Sequence, residues 1–422
     1  MSLVEKVIYV YDSFSEKDPV LLGKLYVGVI KGGETYSFEY EKDWLIKQGL
    51  SINLDPEIQP FGGRQFPFGK NIFGLFADAS PDRWGRVLMN KRERIVAEKE
   101  GRKPRKLYDS DYLLGVYDET RMGGLRFKLE QDGPFLSDDR ENATPPWASL
   151  RTLEEASRNL ENDESGMIEK WLYQLIIPGS SLGGARPKAT VVDAQGQLWI
   201  AKFPSKHDES DTGAWEKVVH DLARMCGLNV PESKLEKFSK LGSTFLVRRF
   251  DRDGEKRFHF ASAMTLLGKT DGASAADGTG YLDLVDFIKS NGSNPKADLL
   301  ELWKRIVFNM LVTNTDDHLR NHALMLTKNG WTLSPLYDVN PVPYGDELSL
   351  LVDEQDNAIS LNLAIKTAYR FGISEETAKS IAEEMSRLIR DNWEHLAKEY
   401  GLTRGQIEYM RPAFGECYND IE

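Results

Sequence analysis

Cysteine is scarce in this chain: Cys226 and Cys417 are the only two among 422 residues. A disulfide framework is therefore improbable, and no Cys-x-x-Cys metal site can be built. No apolar run reaches about 18 residues, so no membrane span is expected. The opening residues, MSLVEKVIYVYDSF, lack a basic region followed by an apolar core, which argues against a signal peptide. Positive charge is in deficit: 54 Lys and Arg stand against 66 Asp and Glu, a formal net charge of −12. Direct nucleic-acid binding is disfavoured, because phosphate neutralisation drives that affinity. The six histidines show no His-Glu-x-x-His or similar metal spacing. There is no internal repeat and no low-complexity tract. What remains is a soluble, cytoplasmic, globular protein, 41% hydrophobic and 28% charged, with length for about two or three domains.

Local patterns then divide the chain. LLGKLYVGVI and ETYSFEYEKDWL flank Lys31-Gly32-Gly33, which predicts a hairpin in a β-rich start. SPDRWGRVLMNKRERIVAEKEG opens on a Ser-Pro helix-start signal and reads as helical. Within it, residues 91–106 carry eight Lys or Arg against three Glu. That run reads as a solvated helix and loop, or as a docking surface for an acidic or nucleic-acid partner. The polar stretch 131–165, with Asp-Gly-Pro and Pro-Pro, is the expected domain boundary. MIEKWLYQLIIPG places Ile168, Trp171, Leu172 and Leu175 on one helical face. KATVVDAQGQLWIAKFP predicts a hairpin, and AWEKVVHDLARMCG a helix. Asn294-Pro295 opens a mainly helical remainder. Near the end Ile381, Met385, Leu388 and Leu396 form a helical core stripe. The expected order is a module over 1–130, a linker over 131–165, a β-rich portion over 166–270 and a helical portion over 271–422. The fold class is α+β.

The chemistry concentrates in TNTDDHLRNHALMLTKNGWTLSPLYDV (313–339). HALMLT and WTLSPL, joined by Lys328-Asn329-Gly330, predict a hairpin. A hairpin folds its ends together, so Asn321 and Asp338 become neighbours, with Asp316 five residues before Asn321. Magnesium takes hard oxygen ligands, which Asn321 and Asp338 supply. A hydroxyl nucleophile needs a proton acceptor, which Asp316 supplies. The spacing follows the protein-kinase catalytic loop and its later metal-binding aspartate. The alternative is a loop of Asx turns and helix caps. Asp317 reads as a solvated or capping residue or a second ligand, and His318 as packing or hydrogen-bonding within the loop. Lys202, on the apolar face of LWIAKFP, needs an anion, either a phosphate or the carboxylate of Glu216 on the following helix; the alternative is a lysine reaching to water. PGSSLGGARPKA (178–189) suits phosphate approach by backbone N–H groups, yet is neither a Walker A nor a Gly-x-Gly-x-x-Gly loop.

These residues together resemble the HipA family of bacterial toxin kinases. The resemblance rests on SSLGGARPK (180–188), IAKFP (200–204), WEKVVHDLARMCGLNVP (215–231), LVRRFDR (246–252), NTDDHLRN (314–321) and SPLYDV (334–339). ASPDRWGR (79–86) resembles part of the family's N-terminal module. The resemblance implies a serine/threonine protein kinase using ATP and Mg2+. Its expected fold is an N-terminal β-rich module plus a two-lobed, phosphatidylinositol-kinase-related core with a largely helical C-terminal lobe. Asp316 would be the catalytic base, and Asn321 and Asp338 the magnesium ligands. Lys202 would contact the ATP phosphates, paired with Glu216. The loop of Gly183, Gly184, Ala185, Arg186, Pro187 and Lys188 would lie at the nucleotide. The backbone of Arg248, Arg249 and Phe250 would hold adenine, and His318 and Tyr337 would line the pocket. Ser181 aligns with the family's autophosphorylated serine, and Ser180 stands beside it. The chain has Ala185-Arg186-Pro187 where better-known members have Ala-Gln-Glu, and Arg248 replaces a glutamate. Implied partners are a small helix-turn-helix antitoxin, DNA only through that antitoxin, and a protein substrate of the aminoacyl-tRNA synthetase kind. Other readings are a small-molecule kinase on the same core, or a co-repressor that holds an antitoxin.

Overall fold

A computed structural model describes residues 5–48, 53–136, 144–162, 175, 186–419 and 421. The helix expected over MIEKWLYQLIIPG lies outside them, apart from Leu175. The chain forms two compact units. Unit 1 comprises residues 1–205 and 249–270, and unit 2 comprises 206–248 and 271–422.

Unit 1 begins with an antiparallel sheet of β1 (Glu5–Asp12), β2 (Val20–Ile30), β3 (Gly33–Tyr40) and β4 (Leu125–Lys128), in the order β3-β2-β1-β4. The expected first hairpin is β2–β3, turning at Gly32, whose φ of +87° suits glycine. Alternation buries Ile8, Val10, Leu25, Val27 and Phe38 on this sheet. The helix Arg83–Lys99 follows, with Asp82 as N-cap accepting from the Gly85 amide at 2.8 Å. Two arginines of the basic run are paired within unit 1. Arg102 meets Glu93 and Glu100, each at 2.5 Å, and Arg105 meets Asp111 at 2.7 Å. Residues Leu150–Glu161, inside the polar stretch, form a helix with Leu150, Leu153, Ala156 and Leu160 buried. The second expected hairpin is β5 (Lys188–Val192) with β6 (Leu198–Lys202).

Unit 2 contains the helix Thr212–Met225 and the hairpin β7 (Ser233–Glu236) with β8 (Thr244–Arg248). Two very short strands, β9 (Arg252–Asp253) and β10 (Lys256–Arg257), pair in unit 1, where β11 (Phe260–Ser262) also lies. Unit 2 resumes with helices Tyr281–Asn291 and Pro295–Leu311, the latter with proline in its first turn. The hairpin β12 (Ala323–Thr327) with β13 (Gly330–Leu333) follows. Gly330 has φ +126°, and a Cβ there would fall 2.5 Å from the Asn291 carbonyl oxygen, so only glycine fits. The long helix Glu375–Glu399 buries Ala378, Ala382, Met385, Ile389 and Trp393. Ile381, Leu388 and Leu396 are only half-buried. The period is as expected, but the buried face is turned toward the small alanines, which permit close helix contact. Trp393 stacks on Phe414 with ring centroids 4.4 Å apart, sealing the core there.

Candidate active site

The loop 313–322 leaves the helix Pro295–Leu311 abruptly. Thr313 adopts φ +48° and Asp338 φ +58°, the two non-glycine residues with positive φ among those described. Such backbone costs about 1–3 kcal/mol and persists only where surroundings enforce it. At Thr313 the enforcement is visible: its hydroxyl donates to the Ala413 carbonyl at 2.8 Å. Asn314 is held too, its amide nitrogen donating to the Asn309 carbonyl at 2.8 Å.

The adjacent aspartates have opposite fates. Asp316 is exposed. Asp317 is 2% exposed and is not the solvated residue its sequence position suggested. Its Oδ2 accepts from Tyr281 Oη at 2.5 Å, Asn309 Nδ2 at 2.8 Å and His322 Nε2 at 2.8 Å. Burial pushes the Asp317 carboxyl up. The His322 charge and the hydrogen bonds from His322 and Tyr281 more than offset this, and hold it below the usual carboxylate value. Asp317 is thus the anchor that leaves its neighbour, Asp316, facing solvent. Asp317 was not singled out as an anchor from sequence, because Tyr281 and Asn309 lie on two helices outside the loop.

Asn321 is 3% exposed. Its Nδ2 donates to the Asp316 carbonyl at 3.0 Å, and its own amide to the His318 carbonyl at 2.8 Å. The side-chain Oδ1 is buried without a hydrogen-bond partner. A buried acceptor left open in this way calls for a ligand. His318 is half-buried, and its Nδ1 is likewise buried without a partner. Tyr337, 8% exposed, donates its hydroxyl to the Arg320 carbonyl at 2.7 Å. The segment leading to Asp338 is pinned by Arg305 Nη2 donating to the Ser334 carbonyl, and by the Leu336 amide donating to the Asn229 carbonyl, each at 2.7 Å. Glu216 is 4% exposed, on the helix Thr212–Met225.

In unit 1, Lys188 and Lys202 are directly opposite in the β5–β6 register, and both are buried. Like charges so placed repel. Asp82 meets one of them: Lys188 Nζ lies 2.7 Å from Asp82 Oδ2. Nothing in the local sequence pattern announces this pair. Pro187 is buried and its carbonyl accepts from the Phe203 amide at 2.9 Å, while Arg186 is half-buried. Ser180, Ser181, Gly183, Gly184 and Ala185 lie outside the described residues. The Arg248 amide donates to the Glu232 carbonyl at 2.8 Å, and the Arg249 amide to the Leu198 carbonyl at 2.9 Å. Those two backbone amides are therefore committed within the fold. Phe250 is half-buried, its ring centroid 6.1 Å from that of Phe260. The Arg249 side chain is structural, with Nη2 2.7 Å from Asp251 Oδ2.

No group of three or more His, Cys, Asp or Glu side chains is arranged to hold a metal among the described residues. Magnesium does not require one. It is usually bound through one or two protein oxygens together with phosphates and water. The open Oδ1 of Asn321 is a donor atom of the right kind.

A solved chain from the complex of HipA, HipB and operator DNA of Shewanella oneidensis MR-1 superposes with a TM-score of 0.69 at 18% identity. The match spans 97% of this chain and 96% of that one. The fold is therefore the α+β arrangement with a kinase-like core. Residues 180–393, half of the chain, match the family model for the HipA-like C-terminal domain, and the chain belongs to this HipA-like family. The serine/threonine-protein kinase toxin HipA of Shewanella oneidensis is 24% identical over 392 residues, covering 83% of this chain and 82% of that protein. A Sinorhizobium fredii protein named "Putative kinase Y4mE" is 28% identical over 401 residues, covering 86% of this chain and 80% of its own. Among the described residues no helix is long and apolar enough to cross a membrane.

Proposed function

We propose that this protein is an ATP- and magnesium-dependent serine/threonine protein kinase, the toxin of a toxin–antitoxin pair. One observation carries the reading: exposed Asp316 and buried Asn321, with its open Oδ1, share one loop. In this reading Asp316 takes the proton of the acceptor hydroxyl. Asn321 and Asp338 hold Mg2+, which when bound neutralises charge on the transferring phosphates. The Asn321 Nδ2 bond to the Asp316 carbonyl engages the amide nitrogen, which supports a metal-ligand role for its oxygen. Lys202 contacts the ATP phosphates and Glu216 orients it. The loop from Gly183 through Ala185 to Lys188 covers the nucleotide, the backbone of 248–250 holds adenine, and His318 and Tyr337 line the pocket. The kinase core would run from about residue 166 onward, after the N-terminal module.

Autophosphorylation at Ser181 would add a dianion to the nucleotide loop and eject it, switching ATP binding off. The partner is a small helix-turn-helix antitoxin, as HipB accompanies HipA in the Shewanella complex, with DNA reached only through it. The substrate is a cytoplasmic protein hydroxyl, with an aminoacyl-tRNA synthetase the first to try.

Incubation with ATP and magnesium followed by intact-mass and peptide mass spectrometry tests this. A phosphate on Ser180 or Ser181, absent in Asp316→Ala, is the expected result. Equal phosphate incorporation by Asp316→Ala refutes the assignment of the base.

A further inference from the structure

Unit 1 contains a polar cavity of about 530 Å³ that shares no residue with the loop around Asp316. Its lining includes Ser13, Lys17, Arg126, Thr144, Arg252 and Arg257. The volume is that of a small-ligand site. The wall is rich in cations, of which Arg252 and Arg257 are buried, while Lys17 and the two carboxylates, Glu119 and Glu255, are exposed, where water screens them.

Behind the wall the imbalance deepens. Asp118 is shared by Arg126 at 2.6 Å and Arg257 at 3.2 Å. Asp251 is shared by Arg249 and Arg252, each at 2.7 Å. Arg121, fully buried, hydrogen-bonds the carbonyls of Ala79 and Val116 at 2.8 and 3.0 Å. Five guanidiniums thus gather around two buried carboxylates. Burial drags the Arg252 and Arg257 guanidiniums below their usual range, with Asp251 and Asp118 opposing. Buried charge in excess is costly unless it is met by an opposite charge.

Hydrogen-bond accounting points to the same place. Three buried polar atoms on lining residues have no partner: Ser13 Oγ, Thr144 Oγ1 and Arg257 Nη1. Arg257 as a whole is 9% exposed. Unpartnered buried donors are rare in native folds, and all three belong to residues that line this one cavity. A flat carboxylate would satisfy one guanidinium fork. A tetrahedral phosphate has enough oxygens for a guanidinium, two hydroxyls and a lysine together.

We propose that this cavity binds the phosphate group of a small phosphorylated molecule, at a site separate from the kinase loop. Calorimetric titration of the full chain with inorganic pyrophosphate, at fixed ionic strength and against chloride, tests it. The wild type is expected to bind and to gain thermal stability. The Ser13→Ala/Thr144→Ala double variant, which keeps every cation, is expected to bind at least about ten-fold more weakly, and Arg257→Gln likewise. If Arg257→Gln does not fold, the double variant decides. Absence of binding to the wild type overturns the proposal. So does undiminished affinity in the double variant, which would place the pyrophosphate elsewhere on the chain.

Discussion

Asp317→Ala should cost this protein more than most single substitutions. It removes the one oxygen to which Tyr281, Asn309 and His322 all donate, at 2.5, 2.8 and 2.8 Å. A hydrogen bond to a charged group is worth about 1.5–3 kcal/mol. Three such bonds exceed what is lost in practice, because water entering the vacated space recovers part. The net loss expected is on the order of 4 kcal/mol, the range for breaking a buried charge network from one side. Asp317→Asn keeps the shape and one acceptor but not the charge, and should lose roughly half of that. The carboxyl is held below its usual value in the fold, so the unfolded chain takes up its proton first. Its contribution is therefore complete above about pH 4 and disappears as pH falls through the lower folded value. Urea unfolding followed by tryptophan fluorescence, at pH 7 and stepwise into acid, measures both effects. The wild-type advantage over Asp317→Asn should shrink with acidification. Phosphotransfer should fall as well, since Asp316 is the next residue. An Asp317→Ala protein within 1 kcal/mol of wild type at pH 7, or a difference insensitive to pH, would refute the reasoning.

Other substitutions separate structure from chemistry. Asp338 sits at φ +58°, which asparagine tolerates and alanine does not; Asp338→Asn should abolish phosphotransfer with little loss of stability, whereas Asp338→Ala should lose about 1 kcal/mol more in thermal unfolding. Lys188→Met removes the cation facing Asp82, which keeps its hydrogen bond from the Gly85 amide, and should destabilise by about 3 kcal/mol. Adding Asp82→Asn, which still caps its helix, should restore part of it, and a double-mutant cycle should give a coupling of at least about 1 kcal/mol. Asp78 accepts from the Ser262 amide at 2.7 Å, and burial pushes its carboxyl up to about 6, against the opposing Ser262 hydrogen bonds. The group is then most favourable to folding below about pH 4, and that advantage is lost as pH rises to about 6. Asp78→Asn should flatten this part of the stability–pH profile, by on the order of 3 kcal/mol.

Local structure was readable and distant partnership was not. The β12–β13 hairpin and the helix opening at Pro295 follow from turn residues and apolar periods within a short window. Asn321 and Asp338 bracket that hairpin, so candidate ligands could be read from spacing alone. Asp317 could not be placed, because Tyr281 lies 36 residues away and contributes the shortest bond. The Asp82–Lys188 pair escaped for the same reason. Arg249 was read for its backbone, and nothing local announces that its Nη1 reaches the Thr120 carbonyl at 2.6 Å. On the helix Glu375–Glu399 periodicity found the stripe but centred it on large apolar residues. The buried face instead includes the small Ala378 and Ala382.

The interrupted sequence of unit 1 sets an order of events during synthesis. Residues 1–205 emerge first, but Arg249, Asp251 and Arg252 complete the unit by bonding the backbone at Thr120, Arg121 and Gly123. At about 5–20 residues per second, those partners arrive several seconds later. Between the two pieces the ribosome makes the helix Thr212–Met225 and the β7–β8 hairpin, which belong to unit 2. Unit 1 therefore reaches its final packing only after the first residues of unit 2 have been synthesised. A stalled or truncated chain ending before residue 249 would leave the carbonyls of 120, 121 and 123 without their guanidinium donors.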